Sequence, residues 1–440
     1  MLYFLFYLFV IHFFLNLTGD EVWNFGFAYN IYRGLIPYRD FNLVVTPFYS
    51  VVLSFFIFLF GPRLFAMHIL NALIVSVLSC YFVLKFRARS IFIIPNLFVL
   101  FFPGYNAWSL FLFFLIIMVI EYKKKNSDVL LGFLVSLLFL SKQSIGIAVF
   151  VSYIFYAKNK LKAFISFMIP ICLLVIYFVW NNALYQFIDY CFFGLLNFGS
   201  QNKIFLFLPL EIIVVLFLGN NLYKSKFEDK KAFYVLSFQI LAYPIFDTTH
   251  LWIAFIPFLY YLLDKYSFSF VYGYKYKYFL ITVVTSFLMF SFNICHVSDG
   301  VFSPDKSSFL YGRYVDVGSI KVINYLSNCF EDVKNDYDYV FLFTKLSYVI
   351  KLNSGYVLNK YDLINDGNMG YNGDIRYINE VDDICSNNSC LFFLDKYEFG
   401  DDGEDENQTS KKILNYVYKN YDIVKHLPQV GFDLYSNKKE

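Results

Sequence analysis

Long uncharged apolar runs are the feature that most constrains the fold of this chain of 440 residues. The run 163–180, for example, contains no charged residue, and a helix that crosses a membrane needs about 20 apolar residues. Such runs recur until about residue 295, and only 16% of all residues are charged, against about 25% in soluble globular chains. The sequence therefore excludes a purely soluble fold and predicts an α-helical polytopic membrane protein.

The charges between the apolar runs determine the expected topology. Connections rich in Lys and Arg alternate along the chain with connections that carry one such residue or none. The basic connections lie at 85–89, 123–125, 158–162, 224–231 and 265–277, and the nearly neutral ones at 103–108, 141–144, 181–203 and 247–250. Because cytoplasmic loops carry the excess of Lys and Arg, we expect the first set inside the cell and the second set outside.

This alternation predicts the membrane spans. They are expected at 65–84, 91–102, 109–120, 128–140, 145–156, 163–180, 204–219, 232–246, 251–263 and 278–295. The opening run 2–17 is interpreted as a further span; the alternative, a cleaved signal peptide, normally has leading basic residues and a small-residue cleavage site, and both are missing. The expectation is about 11 spans with the N-terminus inside. Several spans are short, so their outer ends either include loop residues or leave a recess.

The apolar run 47–60 is not counted among the spans. If it crossed the membrane, the basic residues Lys85, Arg87 and Arg89 would lie outside the cell, and every later loop would be inverted. We therefore interpret it as a helix in the outer interface, closed by Gly61 and Pro62. It then belongs to a first external loop at 18–63.

Two domains are expected, because acidic and polar stretches such as 401–407 occur only late in the chain. Residues 1–295 form the transmembrane domain, and residues 296–440 a small external α/β domain. Helices are predicted near 319–328 and 411–420, and strands near 339–344, 391–395 and 432–435. The Asn- and Gly-rich loop 365–373 is either an acceptor-recognition element or part of a scaffold.

Cysteines of the C-terminal domain are candidates for a disulfide if the domain faces an oxidising compartment. Cys385 with Cys390, or either one with Cys329, are the possible pairs, and the sequence leaves the pairing open. The seven cysteines show no metal-type spacing.

The first external loop contains the residues best suited to chemistry. Asp20 and Glu21 directly follow the first span, and a carboxylate at the mouth of a membrane recess has a raised pKa that suits it to accept a proton. Alternatively, Asp20 caps the helix that begins near Glu21. The loop continues with Arg33, then Tyr38-Arg39-Asp40-Phe41, in which Arg39 and Asp40 either bind substrate or only pair with each other.

Two other external connections carry candidate anion-binding residues. Lys142 is the single charge between two apolar spans, and ionisable groups at such places are functional by default, although a lysine can also extend to lipid headgroups. Gln143 adds a potential hydrogen-bond donor to phosphate. In the connection Asp247-Thr248-Thr249-His250, His250 is a candidate contact to phosphate or acceptor, and the alternative is a helix-capping turn with Asp247 as the cap.

The order of these features resembles a known family. A first span, Asp-Glu, then Tyr-x-x-Gly-x-x-Pro-Tyr-x-Asp-Phe, Thr-Pro, an interfacial helix and many spans with an external C-terminal domain are similar to the GT-C class of polyprenyl-phosphate-dependent glycosyltransferases. The protein O-mannosyltransferases, the family-39-like enzymes and the aminoarabinose transferase belong to this class. The motif occupies about residues 19–61, whereas the architecture covers the whole chain.

The resemblance implies a role for each candidate residue. Asp20 is the catalytic base, with Glu21 beside it. The donor phosphate is bound by Lys142, Gln143, Arg33 and His250. Substrate contacts are expected from Tyr38, Arg39, Asp40, Asn106, Trp108 and Asp247. Metal-dependent relatives have paired acidic residues in the second external loop, which here contains Asn106 and Trp108 but no carboxylate. A divalent metal is therefore doubtful, since hard cations prefer carboxylate oxygens, and no other cofactor is expected.

The sequence thus predicts a membrane glycosyltransferase of the plasma membrane. It would move a hexosyl or pentosyl group from a polyprenyl phosphate to a glycan, lipid or protein acceptor on the outer face. A transporter or a flippase of lipid-linked glycans is the rival, but its polar groups would lie at the midplane within repeated halves. A glycan polymerase or ligase would instead carry a large late external loop between spans. The net charge of +2 gives no basic face for nucleic acid.

Overall fold

The computed structural model describes most of the chain. The described residues are 1–13, 15, 17–101, 104–122, 127–194, 208–243, 248–266, 300–303, 308–343, 347–354, 368–395, 411–429 and 431–437. The predicted span 278–295 and the candidate residue Asp247 lie outside them.

The described residues before 267 are mainly helical. They are α1 (Leu2–Phe13), α2 (Gly19–Tyr32), α3 (Phe48–Phe60), α4 (Leu64–Phe86), α5 (Tyr105–Tyr122), α6 (Ser127–Phe139), α7 (Gln143–Tyr156), α8 (Lys160–Trp180), α9 (Leu184–Ile188), α10 (Leu208–Lys224), α11 (Lys230–Phe238) and α12 (Thr248–Lys265). A π-helical turn, Asp189–Phe193, follows α9, and a 3-10 segment, Gln239–Ala242, follows α11.

The protein is an integral membrane protein, and three described helices are long and apolar enough to cross a bilayer. These are α4, α5 and α8. Helices α1, α3, α6 and α7 are apolar but shorter, so the total of about 11 spans remains a prediction. The expected span at 91–102 is not an α-helix: it consists of the 3-10 segments Arg87–Phe92 and Ile94–Phe101. Pro95 in the second segment has no N–H to donate within an α-helix.

The first external loop begins with α2, whose start is set by Thr18. The Thr18 hydroxyl accepts a hydrogen bond from the Glu21 N–H at 3.2 Å, so Thr18, and not Asp20, is the N-cap. Asp20 and Glu21 then lie in the first turn, where the helix dipole favours negative charge. The helix ends before Gly34, whose φ of 85° is a conformation that glycine adopts without steric cost.

Hydrogen bonds fasten the loop to the turn between α6 and α7. The Thr46 hydroxyl donates to the Phe139 carbonyl at 2.7 Å, and the Phe48 N–H donates to the Leu140 carbonyl at 2.8 Å. The helix expected at 47–60 is present as α3 and ends at Gly61, and its place in the outer interface stays a prediction. The loop is thereby held beside Lys142, which immediately precedes α7.

The C-terminal part is an α/β domain, as expected. It contains β1 (Gly300–Phe302), β2 (Tyr314–Asp316), α13 (Val317–Val333), β3 (Tyr339–Phe343), α14 (Ser347–Ser354), α15 (Gly373–Cys385), β4 (Cys390–Asp395), α16 (Lys411–Asn420), β5 (Asp422–Leu427) and β6 (Phe432–Ser436). Strands β1 and β2 form an antiparallel pair, and the second sheet has the order β3-β4-β6-β5. Strands β3 and β4 are parallel, and the other two pairings are antiparallel.

One of the candidate disulfides is formed in this domain. Cys385 at the end of α15 is bonded to Cys390 at the start of β4. Cys329 is a free thiol. The bond joins the helix to the strand that follows it.

The C-terminal domain packs directly on the first external loop and on the π-helical turn. Tyr348 of α14 packs its ring edge-on against Phe27 of α2, with ring centroids 5.5 Å apart. Arg376 of α15 donates to the carboxylate of the buried Asp189 at 2.9 Å, and the Tyr371 N–H donates to the same carboxylate at 3.0 Å. The Asn42 side chain donates to the Asn368 carbonyl at 3.1 Å, so part of the Asn- and Gly-rich loop lies against the first external loop.

Candidate functional site

Asp20 lies at the exposed start of α2. Its side chain is exposed, whereas the next residue, Glu21, is only 2% exposed. The Asn24 side chain, one turn further along the helix, donates to the Asp20 carbonyl at 2.7 Å. This hydrogen bond stabilises the first turn of α2, which carries Asp20.

The same Asn24 places this turn beside the second external connection. A methyl group on Gly104 would lie 3.3 Å from Asn24 Nδ2, so the backbone at Gly104 directly contacts this side chain. Tyr105 and Asn106 follow in sequence at the start of α5. The start of α2 and the segment that leads into α5, which are far apart in the sequence, therefore meet here.

Three predicted site residues from different segments form one polar cluster, Lys142–Asn106–His250. Lys142 Nζ donates to Asn106 Oδ1 at 2.7 Å, and Asn106 Nδ2 lies 3.2 Å from His250 Nε2. The lysine also lies 5.3 Å from the centroid of the Tyr105 ring, an arrangement that favours the cation.

The hydrogen bonds of the cluster assign the state of its histidine. Because Asn106 Oδ1 accepts from Lys142, the amide nitrogen of Asn106 must face His250, so His250 Nε2 accepts a hydrogen bond. The ring proton of a neutral His250, which is 8% exposed, then lies on Nδ1. The cluster therefore offers a fixed ammonium group and an imidazole in a defined tautomer, which together can bind an anion.

Gln143 lies next to the cluster, but its amide is used within the protein. Its Nε2 donates to the Cys191 carbonyl at 2.8 Å and to the Val44 carbonyl at 3.3 Å. Both of its N–H groups are thus directed at backbone oxygens. This geometry does not favour donation to a phosphate, and that role of Gln143 stays a prediction.

Glu21 belongs to a buried charged network and not to the exposed face of α2. Its carboxylate accepts two hydrogen bonds from Arg313, at 2.7 and 2.9 Å, and lies 2.5 Å from His68 Nε2. His68 Nδ1 in turn lies 2.8 Å from His12 Nδ1. Burial opposes ionisation of Glu21, but the Arg313 guanidinium and His68 hold its pKa below the ordinary value. The geometry makes Glu21 a buried ion-pair partner, and its predicted catalytic role is not favoured.

The residues of the turn after α2 are engaged with the loop itself. Arg39 forms a bidentate pair with Asp40 at 2.7 and 2.9 Å, and Asp40 also accepts the Ile36 N–H at 2.8 Å. The fully buried Tyr38 donates to the Val45 carbonyl at 2.7 Å. Arg33 donates to the Tyr29 hydroxyl at 3.2 Å. Substrate or phosphate binding by these residues stays a prediction.

Two aromatic residues near the cluster have buried polar atoms. Trp108 packs against Tyr49, with ring centroids 6.5 Å apart. The indole N–H of Trp108 and the hydroxyl of Tyr49 have no hydrogen-bond partner among the described residues. Buried polar atoms of this kind normally find a partner, and sugar hydroxyls would provide one. Trp108 was predicted from sequence, whereas Tyr49 was missed because it lies within an apolar run.

Within the described ranges, no group of three or more His, Cys, Asp or Glu side chains is arranged to hold a metal ion. The expectation that the site needs no metal therefore stays a prediction. Asp247 is outside the described residues.

The fold is that of the GT-C class of membrane glycosyltransferases, as the resemblance implied. It is similar to that of ArnT from Cupriavidus metallidurans in the apo state, with a TM-score of 0.58 at 10% identity, and the match covers 99% of this chain and 96% of that chain. It is also similar to ArnT from the same organism bound to undecaprenyl phosphate, with a TM-score of 0.54, 11% identity and the same coverage. No family model matches the sequence, and no curated protein does.

Proposed function

We propose that the protein is a glycosyltransferase that moves a hexosyl or pentosyl group from a polyprenyl phosphate to an acceptor on the outer face of the plasma membrane. The observation that carries the proposal is the Lys142–Asn106–His250 cluster, whose Asn106 lies two residues after Gly104, and Gly104 is close to Asn24 of the helix that bears Asp20. The acceptor is a glycan, a lipid or a protein. The donor phosphate and the acceptor hydroxyl each have a suitable side chain in this region.

The cluster is suited to the donor phosphate. When the sugar leaves, the bond between its anomeric carbon and the phosphate oxygen breaks, and negative charge increases on the phosphate. Lys142, held by Asn106 at 2.7 Å, is a cation fixed in advance, and fixed charges stabilise a developing charge without reorganisation. His250 adds a second polar group to the same cluster.

Asp20 is suited to the acceptor. Its exposed side chain can take the proton of the acceptor hydroxyl while the hydroxyl oxygen forms a bond to the anomeric carbon. Attack on the face opposite the phosphate gives a single displacement with inversion. The proton is then on Asp20, and the electron pair of the broken bond is on polyprenyl phosphate.

A lipid-linked donor also fits the setting of the site. The site is formed by the ends of apolar helices α5, α7 and α12, which provide a path for a polyprenyl tail from the bilayer. One structure of similar fold is that of an ArnT bound to undecaprenyl phosphate. The Cys385–Cys390 disulfide supports an external C-terminal domain, because disulfides persist in oxidising compartments.

The test is a transfer assay with purified protein in lipid nanodiscs. We would supply polyprenyl phosphates that carry different hexoses and pentoses, with extracts of outer-envelope glycans and lipids as acceptors, and measure release of free polyprenyl phosphate. Acceptor-dependent release that Lys142→Ala reduces and Lys419→Ala does not would support the proposal. Lys419 is an exposed lysine of α16 and serves as the matched control.

The same preparation distinguishes the rival function. A flippase or transporter would move the intact lipid-linked sugar across a sealed vesicle without releasing polyprenyl phosphate. Translocation without release, for every donor supplied, would contradict the proposed transfer reaction.

A further inference from the structure

An open, mostly apolar cavity lies on the helical part of the protein. Its volume is about 380 Å³, and it is formed between α7, α10 and the 3-10 segment that follows α11. Its lining includes Ala148, Glu211, Val215, Leu236, Gln239 and Tyr243. A volume of this size and a mostly apolar lining with a few polar groups are typical of small-molecule sites.

Glu211 is a buried carboxylate that faces this cavity. It is 9% exposed, and its Oε1 has no hydrogen-bond partner in the described part of the chain. Residues 212–218 of α10 are all apolar, and Leu210, Ile213 and Leu216 are exposed on its outer side. An ionisable residue in such a helix is costly and is by default a sign of function.

Gln239 presents a second buried acceptor to the cavity. It is 5% exposed, and its Nε2 donates to the Val235 carbonyl at 3.0 Å and to the Ala254 carbonyl at 3.1 Å. These two bonds determine which way the amide points. The Oε1 atom of Gln239 therefore points away from these two carbonyls, and it has no partner among the residues that the structure describes.

The chemistry of the missing partner follows from these atoms. Two buried acceptors without donors suit a ligand that brings hydrogen-bond donors, such as hydroxyl or ammonium groups. The exposed apolar face of α10 beside the cavity indicates that the ligand comes from the bilayer. A sugar carried by a lipid has both properties.

The cavity is close to the Lys142–Asn106–His250 cluster. Ala148 follows Lys142 on α7 by six residues, or roughly 9 Å of helix. Ala254, whose carbonyl binds Gln239, lies one turn after His250 on α12. One wall of the cavity, α7, is thus a direct continuation of an element that holds the cluster, and Gln239 of another wall is bonded to α12, which bears His250.

We propose that the Glu211–Gln239 cavity is a subsite that binds the hydroxyl or ammonium groups of the sugar on the lipid-linked donor. This inference rests on the proposed function and adds to it a determinant of donor recognition. Lys142 binds the phosphate, which every polyprenyl phosphate has, whereas Glu211 and Gln239 distinguish donors that carry a sugar.

Binding measurements with two kinds of lipid test this. Protein in phosphatidylcholine nanodiscs is titrated with undecaprenyl phosphate alone and with undecaprenyl phosphates that carry glucose, arabinose or glucosamine. We expect Glu211→Leu to weaken binding of at least one sugar-bearing lipid by about tenfold, since a hydrogen bond to a charged group is lost, and to leave binding of the bare lipid within about twofold. Glu211→Gln, which keeps an acceptor oxygen, should have an intermediate effect. The exposed Glu228 provides the control variant Glu228→Gln.

The outcomes separate this inference from the proposed function. If the wild-type protein binds none of these lipids, the proposed function fails. If it binds them but Glu211→Leu changes nothing, or weakens bare and sugar-bearing lipids equally, only the subsite is wrong. Competition by phosphatidylethanolamine would assign the cavity to a phospholipid ammonium group and would overturn the inference in the same way.

Thermal stability without donor is the second readout. A carboxylate without a partner destabilises the folded protein, so Glu211→Leu should leave the unfolding temperature unchanged or raise it. A lower unfolding temperature would mean that Glu211 supports the fold, and it would contradict the subsite.

Discussion

Lys142 Nζ donates a hydrogen bond to Asn106 Oδ1 over 2.7 Å, and this bond joins the turn before α7 to the start of α5. His250, at the start of α12, lies 3.2 Å from the amide nitrogen of the same asparagine. Three short connections between helices therefore supply one polar cluster, to which we assign the donor phosphate, and its parts can be tested separately.

Removing the cation of the cluster should affect the donor more than the acceptor. Lys142→Ala deletes the ammonium group that we assign to the donor phosphate, and a charge-assisted hydrogen bond is worth about 1.5–3 kcal/mol. We expect KM for the polyprenyl-phosphate sugar to rise by about tenfold or more, and KM for the acceptor to change little. Initial rates with each substrate varied in turn measure this. An unchanged KM for the donor would show that Lys142 does not bind the phosphate.

The Glu21–Arg313 pair should be important for stability. Arg313→Met leaves the Glu21 carboxylate buried without its main cationic partner, and breaking a buried pair in this way typically costs about 3–5 kcal/mol. We expect a large fall in the unfolding temperature of the purified protein. Removing both charges, as Glu21→Leu with Arg313→Met, should recover much of the loss.

A surface ion pair is the control for that experiment. Lys334 lies 2.5 Å from Glu331, whose side chain is 43% exposed. Lys334→Met should cost less than about 1 kcal/mol, as exposed pairs do. Equal losses from Arg313→Met and Lys334→Met would contradict the burial described for Glu21.

The same network predicts a pH dependence of stability. The pKa of Glu21 in the folded protein lies below its ordinary value of 4.5, because Arg313 and His68 outweigh the effect of burial. Its stabilisation should therefore be complete above the pKa of the unfolded chain and should be lost as the pH falls through the lower, folded value. Unfolding of wild type and Glu21→Gln, followed from neutral to acidic pH, should show a difference that shrinks in acid. A difference independent of pH would be evidence against the ionised pair.

Contact between the C-terminal domain and α2 depends on Gly26. A methyl group at this position would lie 2.1 Å from Tyr348 Cδ1, so Gly26→Ala should push α14 away from α2 and cost about 1–3 kcal/mol. Limited proteolysis should then release the C-terminal domain faster. Combining Gly26→Ala with Tyr348→Ala should restore part of the protection.

Gly219 offers a matched control, because it also lies in a helix but has no atom within 4 Å of an added methyl group. Gly219→Ala should leave proteolysis unchanged and stability equal or higher, since alanine favours the helix over glycine by about 1 kcal/mol. If Gly26→Ala behaved like Gly219→Ala, the close packing of Tyr348 on α2 would be wrong.

Much of the polar cluster was predictable from the sequence. Lys142, Asn106 and His250 all lie in connections with few basic residues, and the alternation of basic and neutral loops assigns such connections to one side of the membrane. Residues that lie near helix ends on the same side of a helical bundle are often close in space. The pattern does not specify which atoms bind, and the structure supplies that.

The role of Glu21 was not predictable in this way. Successive residues of a helix point about 100° apart, so one of two adjacent acids can be exposed while the other is buried, as Asp20 and Glu21 are. The partner that makes burial of Glu21 tolerable is Arg313, which lies 292 residues further along the chain. His68 was equally hidden, because a single histidine in an apolar run is a common feature of a helical core.

The C-terminal domain was predicted only in outline, and β1, β2, β5, α14 and α15 were missed. Strand β5 is at the edge of the sheet, and most of its residues are exposed. It therefore lacks the alternation of apolar and polar residues that indicates a half-buried strand. Strands β3 and β4 are short buried apolar runs, and they were found close to their true positions.

We assign Asp20 as the base that takes the proton of the acceptor hydroxyl, and the variant Asp20→Asn tests this most directly. Transfer by this variant should be measured beside binding of the polyprenyl-phosphate donor, with Asp422→Asn, an exposed residue of β5, as the control. Loss of a general base lowers turnover by about 100-fold or more, so we predict that loss for Asp20→Asn, with donor binding within about twofold of wild type. If Asp20→Asn turned over at a rate close to that of the wild type and of Asp422→Asn, Asp20 would not be the base.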